Sequence, residues 1–191
     1  AYPNAAALED HAALGRLNVT TASCRNAAGT AFDSITAFGG RSFTIWSSDG
    51  NQVWDSGDDF ERITAGHLPD NFNSNNDENS FDTRSDDKGP EPEGVAVGEI
   101  DKRQLAFVVL ERVGGMMIYD VTDPTKPVFL QYLNNRVFTG EQVGPDSGPE
   151  VVKFVSAGES PNGKPLVLVS NEISGTVSFY QPTSADGSGM P

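Results

Sequence analysis

The residues able to do chemistry are carboxylates. Glu93 opens the apolar stretch 94–97, Glu111 closes the apolar run 105–110 with Arg112 beside it, and Glu150 stands before Val151 and Val152. Ahead of them, residues 70–91 add Asp70, Asp77, Asp82, Asp86 and Glu91, with the amide-bearing Asn73 and Asn75 and almost no apolar surface. Carboxylates and amides are hard oxygen donors, and calcium takes about six to eight of them in flexible geometry. Asp70, Asn73, Asn75, Asp77, Asp82, Asp86, Glu91, Glu93, Glu111 and Glu150 are therefore candidate ligands for calcium or another divalent metal. Converging carboxylates repel one another, and a divalent cation supplies the counter-charge. With metals in place, phosphate would bind between them and Arg84, Lys88 or Arg112, and a bridging water would attack phosphorus as in two-metal hydrolases. In that reading the catalytic residues are Glu93, Glu111 and Arg112. The plainer readings are a solvated acidic loop, glutamates that satisfy strand-edge amides, and a Glu111–Arg112 ion pair at a turn. The spacing is not that of an EF-hand loop, which needs Gly at its sixth position and Glu at its twelfth.

Other chemistries find little support. His11 and His67 are the only histidines, which disfavours a His-rich zinc site. No Gly-x-Ser-x-Gly elbow and no Gly-rich phosphate loop occurs. Cys24 is the single cysteine, so no intrachain disulfide forms, and it reads as an incidental thiol. Thirteen Lys and Arg against 27 Asp and Glu give a net charge of −14, which repels nucleic acid and anionic membranes. No apolar run approaches the roughly 20 residues that span a bilayer. Asn18-Val19-Thr20 is a glycosylation sequon, usable in a secreted eukaryotic protein.

The elements that must position the carboxylates are strands. Twenty Gly and 12 Pro with 37% hydrophobic residues point to short strands and many turns, an all-β chain. Residues 1–13 are a short helical or irregular lead-in. Residues 35–38, 42–46 and 52–54 predict a three-stranded meander whose first turn is Gly39-Gly40. Asp58 or Asp59 caps a single helical turn ending at Gly66, and the acidic loop 68–92 follows. Strands near 94–100, 105–110, 116–119 and 128–132 then complete one unit. The unit recurs: Pro92-Glu93-Gly94-Val95 is echoed by Pro149-Glu150-Val151-Val152, and Arg112 to Met116 by Glu172 to Thr176. Such units are blades, so residues 14–181 are predicted to form a β-propeller segment of about three four-stranded antiparallel blades within a larger propeller. A ring needs about four to eight blades. The remaining blades would come from another chain or from an N-terminal part not present in this sequence. A β-sandwich is the alternative. In a propeller the first strand of each blade lines the channel, which would bring Glu93 and Glu150 toward one pocket, with Glu111 and Asn171 at equivalent second-strand ends. Residues 182–191 read as a flexible tail.

The stretches 38–43, 55–61, 68–94, 111–115 and 160–163 resemble the choice-of-anchor I family of secreted propeller proteins, related to mesenchyme-specific cell surface glycoproteins. The resemblance covers nearly everything from residue 14 to residue 181. It implies an extracellular, cell-surface or periplasmic propeller. Bacterial members are often labelled alkaline phosphatase, and animal relatives are associated with calcium mineral. Glu93-Gly94-Val95 followed by Leu110-Glu111 is also similar to β-propeller phytases, which implies calcium and phosphate ligation by Glu93 and Glu111. The bacterial relatives usually carry Pro-Glu-Gly in the last blade, where this chain has Pro149-Glu150-Val151 and lacks the Gly. Two functions are thus expected as alternatives. One is a calcium-dependent phosphoesterase acting on a phosphate ester. The other is a non-enzymatic calcium-binding surface or matrix protein of adhesion or mineral contact.

Overall fold

A computed structural model describes residues 3–140 and 143–183. The tail expected at 182–191 lies almost wholly outside the described residues. The lead-in holds one four-residue helix, α1 (Ala5–Leu8), and residues 17–38 pair only through isolated bridges, Val19 with Ala37 and Arg25 with Phe32. All other regular structure is β-sheet apart from one longer helix and a 3-10 turn.

β1 (Thr44–Trp46) and β2 (Gln52–Asp55) form a hairpin closed by Gly50 at φ 83°, with the Ser47 hydroxyl donating to the Asn51 carbonyl. The expected third strand of this meander, 35–38, does not pair with β1. Arg41 accounts for the divergence: it reaches away from the hairpin to Glu61 and to the carbonyls of Ser85 and Asp87, and so ties this turn to the acidic loop. The single helical turn expected after β2 is instead a nine-residue helix, α2 (Asp59–His67). Burial of Phe60 and Thr64 against the neighbouring sheet extends it, the Thr64 hydroxyl donating to the Phe60 carbonyl. A 3-10 turn (Pro69–Asn71) then leads into the acidic loop.

The central sheet runs in the order β3 (Pro92–Ile100), β4 (Arg103–Leu110), β5 (Met116–Asp120) and β6 (Val128–Leu133), all antiparallel. Residues 105–110 of β4 are at most 2% exposed, so both faces of this strand are covered. Alternation decides what each face meets. Leu105, Phe107 and Val109, with Met116 and Ile118, face the next sheet. Ala106, Val108 and Leu110, with Met117 and Tyr119, pack on α2 and the β1–β2 hairpin, where Phe43, Trp54, Phe60 and Tyr119 form an aromatic cluster.

The next sheet is β7 (Pro149–Val155), β8 (Leu166–Asn171) and β9 (Thr176–Tyr180), and it repeats the first three strands of the central one. Pro92 stands opposite Leu110 and Pro149 opposite Asn171, each followed by a bulge. The Glu111 N–H donates to the Glu91 carbonyl, as the Glu172 N–H does to the Gly148 carbonyl, and Gly114 and Gly175 close the same turn. Glu111 therefore corresponds to Glu172, one residue away from the expected match with Asn171. Sheets of two, four and three strands follow one another in the chain, and among the described residues they close no barrel or ring: the fold is an all-β partial propeller.

Two glycines let β3 and β7 approach. A side chain at Gly94 would lie 2.7 Å from the Glu150 carbonyl oxygen, and one at Gly98 would lie 2.3 Å from the Phe154 ring, itself stacked on Phe107. Gly98→Val should therefore lower stability by about 1–3 kcal/mol through overpacking, measured by urea unfolding. Unchanged unfolding would mean that the two sheets do not meet at this residue.

Candidate functional site

The site sits where the acidic loop enters β3 and where β4 ends. Carboxylate oxygens of Glu91, Glu93 and Glu111 all lie within 4.8 Å of one another. Glu93 is exposed, whereas Glu91 and Glu111 are 4% and 8% exposed. Three cations surround the buried glutamate: Arg84 Nη2 is 2.6 Å from Glu91 Oε1, Arg112 Nε 3.2 Å from the same oxygen, and Lys88 Nζ 3.0 Å from Oε2. Arg112 also lies 3.2 Å from Glu111, whose Oε1 accepts from the Asn76 amide at 2.9 Å. Arg112 in turn donates to the Asn76 Oδ1, also at 2.9 Å.

This arrangement separates the two buried carboxyls electrostatically. Burial alone would raise the Glu91 carboxyl, but hydrogen bonds from Arg84, Lys88 and Glu111 and the charge of Arg112 outweigh it and hold the group at about 2. Glu111 is raised to about 7, first by burial, then by its hydrogen bond to Glu91 and the charges of Glu91 and Glu93, with Arg112 opposing. The pair thus takes one proton near neutrality and a second only in strong acid.

Of the residues expected as ligands, the fold gathers Glu91, Glu93 and Glu111, with Arg112 among them. The others lie outside this trio. Asp70 is exposed on the 3-10 turn. Asn73 is fully buried and donates to Glu61 and to Ser85, each at 2.9 Å. Asn75 donates to the exposed Asp77 at 2.7 Å. Asp82 is taken by Arg16 at 2.6 Å, and the Asp86 carbonyl accepts from the Asn18 N–H at 2.7 Å. Glu150 is exposed on β7, and its backbone carbonyl faces Gly94.

Arg136 is the organising residue that sequence reasoning misses. It is 5% exposed and makes no ion pair with a carboxylate among the described residues. Its guanidinium lies 4.4 Å over the Phe138 ring and donates to the carbonyls of Arg112 (2.8 Å) and Glu78 (2.6 Å). Burial lowers it to about 10, with Tyr132 and Asp77 opposing, so it stays charged at neutral pH. Partners that are backbone carbonyls leave no pattern in a sequence; the one available signal is an arginine directly after the polar pair Asn134-Asn135.

The Choice-of-anchor I domain pattern matches residues 1–124 of the chain. Gigasin-3a of Magallana gigas is 32% identical over 194 residues, which cover 94% of this chain and 68% of the relative. The chain belongs to the choice-of-anchor I family. A second relative, the mesenchyme-specific cell surface glycoprotein of Strongylocentrotus purpuratus, is 32% identical over 104 residues, 47% of this chain and 13% of that protein. No solved structure matches this choice-of-anchor I chain. The family match ends at Asp123-Pro124 and so includes the acidic loop, Glu91, Glu93 and Glu111 but not Arg136.

The Glu91–Glu111 pair gives stability a definite pH dependence. Glu111, raised from an ordinary 4.5 to about 7, contributes stability that is full below pH 4.5 and lost as pH rises through 7; Glu91, lowered to about 2, contributes stability that is lost only in acid. In chelator the melting midpoint should fall between pH 5 and pH 8, and Glu111→Gln should flatten that fall. An identical slope in both proteins would show that Glu111 does not carry the proton. Arg136→Met should cost about 2 kcal/mol, the loss of charge-assisted bonds to two carbonyls, read as a lower urea midpoint, and a neutral result would remove Arg136 from the scaffold.

Proposed function

We propose that this choice-of-anchor I chain is part of an extracellular, surface-located β-propeller that binds calcium at Glu93 and Glu111. The observation that carries the reading is the approach of three carboxylates to within 4.8 Å beside the end of β4, a strand covered on both faces. The fit to calcium divides the trio. Glu91 is neutralised by Arg84, Lys88 and Arg112, so the ion's protein ligands are Glu93 and Glu111, hard oxygen donors of the type calcium takes. Water completes the remaining positions, and binding displaces the proton that Glu111 holds near neutrality. The surface location rests on the family and on a relative whose name describes a cell surface glycoprotein. No helix among the described residues is long and apolar enough to cross a membrane.

A phosphoesterase needs a seat for phosphate as well as a metal. The three cations suited to it, Arg84, Lys88 and Arg112, are all engaged by Glu91. The non-enzymatic calcium-binding reading is therefore the better supported of the two.

Calorimetric titration with calcium tests it. The expected dissociation constant is about 10⁻⁴–10⁻³ M, the range of extracellular modules, and Glu93→Gln and Glu111→Gln should each weaken it about tenfold, the loss of one charged ligand. Absence of saturable calcium binding, or variants that bind as the parent does, would contradict the proposal. Chelator-sensitive turnover of a chromogenic phosphate ester would favour the hydrolase instead.

A further inference from the structure

The repeat leaves one sheet a strand short. β5 of the central sheet is flanked by β4 and β6, whereas among the described residues its counterpart β9 pairs with β8 alone. The registers fix the correspondence: Met116 stands opposite Val109 as Val177 stands opposite Ser170, and Ile118 opposite Phe107 as Phe179 opposite Leu168. Met116 and Ile118 are 2% and 1% exposed, but Val177 and Phe179 are 56% and 67% exposed.

β9 also lacks what keeps an exposed edge single, namely charge, proline or a bulge. β6, the outer strand of the central sheet, bulges at Leu130, between Gln131 opposite Ile118 and Phe129 opposite Tyr119. β9 reads Thr176-Val177-Ser178-Phe179-Tyr180, with no charge and no proline, and its register against β8 runs unbroken. The strand is self-complementary. Laid antiparallel on itself about Ser178, it sets Val177 opposite Phe179 and Thr176 opposite Tyr180, and β-branched residues opposite aromatics are favourable cross-strand pairs. We infer that β9 is the contact through which a second copy of this chain binds, the two β9 strands pairing antiparallel across a two-fold axis. That pairing continues the β7–β8–β9 ladder, and since each copy offers this edge once it closes at two copies. It uses an uncharged strip on a chain of net charge −14, so salt that screens the repulsion between copies favours it. No residue of the proposed calcium site takes part.

Sedimentation of the full chain in chelator is the test, so that its outcome does not depend on the calcium reading. The parent should pass from monomer to dimer at about 0.1 mM, and more readily as sodium chloride rises from about 0.05 to 0.5 M. Val177→Lys and Phe179→Glu, both at exposed positions, should each weaken dimerisation about tenfold, because every cross-strand pair occurs twice about the axis. Combined, they set opposite charges against each other and should restore the parent's affinity to within about threefold. Amide exchange of β9 in the parent should slow as protein concentration rises, a readout that needs no variant. A parent still monomeric at about 1 mM overturns the inference and leaves the edge to a strand from a different polypeptide. Concentration-independent exchange, single variants that dimerise as the parent does, or a double variant no tighter than the singles would overturn it as well.

Discussion

Neutralisation of an acidic loop by arginines is the constraint on which this structure rests. Residues 70–91 contribute carboxylates and amides and almost no apolar surface, so burial cannot order them. Guanidinium groups supply what burial does not. Arg16 holds Asp82, Arg41 bonds two loop carbonyls, Arg84 joins Asp87 to Glu91, Arg112 meets Glu91 and Asn76, and Arg136 bonds the Glu78 carbonyl. Isolated exposed pairs of this sort contribute about 0–1 kcal/mol each. Here the pairs are partly buried and share members, and Glu91 alone takes three, which makes the loop one network.

The network works only because the strands beneath it are rigid. β4 is covered on both faces, by the β7–β9 sheet on one and by α2 with the β1–β2 hairpin on the other. Glu111 leaves the end of that strand and Glu93 lies near the start of its neighbour β3, so their separation is fixed by strand pairing. Tyr119 ties the same core to α2 by donating to Asp59 at 3.0 Å, and α2 delivers the chain to the loop. Apolar packing thus places two carboxylates, and ionic contacts place the third.

Much of the scaffold was legible in the sequence. The glycine and proline content with short strands gave the all-β class, the apolar run 105–110 and the recurring Pro-Glu gave the successive sheets, and stretches such as 38–43, 68–94 and 111–115 carried the resemblance to the family. Glu93 and Glu111 were legible because both border apolar strands, where position follows from alternation. The partners of the loop side chains were not, since a run of Asp and Asn looks the same whether each side chain faces an ion, an arginine or its neighbour's amide. Asp82 is taken by Arg16, and the Asn73 amide nitrogen donates to Glu61 and Ser85, bonds that reach up to 66 positions along the chain. The hairpin at Gly39-Gly40 failed for a related reason: Arg41 forms long-range contacts that local propensity does not see. The slip of one residue between Glu111 and Asn171 arose because the sequence echo pairs Gly115 with Gly175, whereas the turn bonds pair Gly114 with Gly175, and the bonds from Glu111 to Glu91 and from Glu172 to Gly148 fix the match.

The central claim is that arginines order the acidic loop before any metal arrives. Hydrogen-exchange mass spectrometry of the metal-stripped chain tests it most directly. The N–H groups of Asp82, Arg84 and Gly89, bonded within the loop, should exchange slowly in chelator, with calcium adding protection only near Glu93 and Glu111. Rapid exchange throughout residues 70–91 in chelator, with protection appearing only when calcium is added, would contradict it.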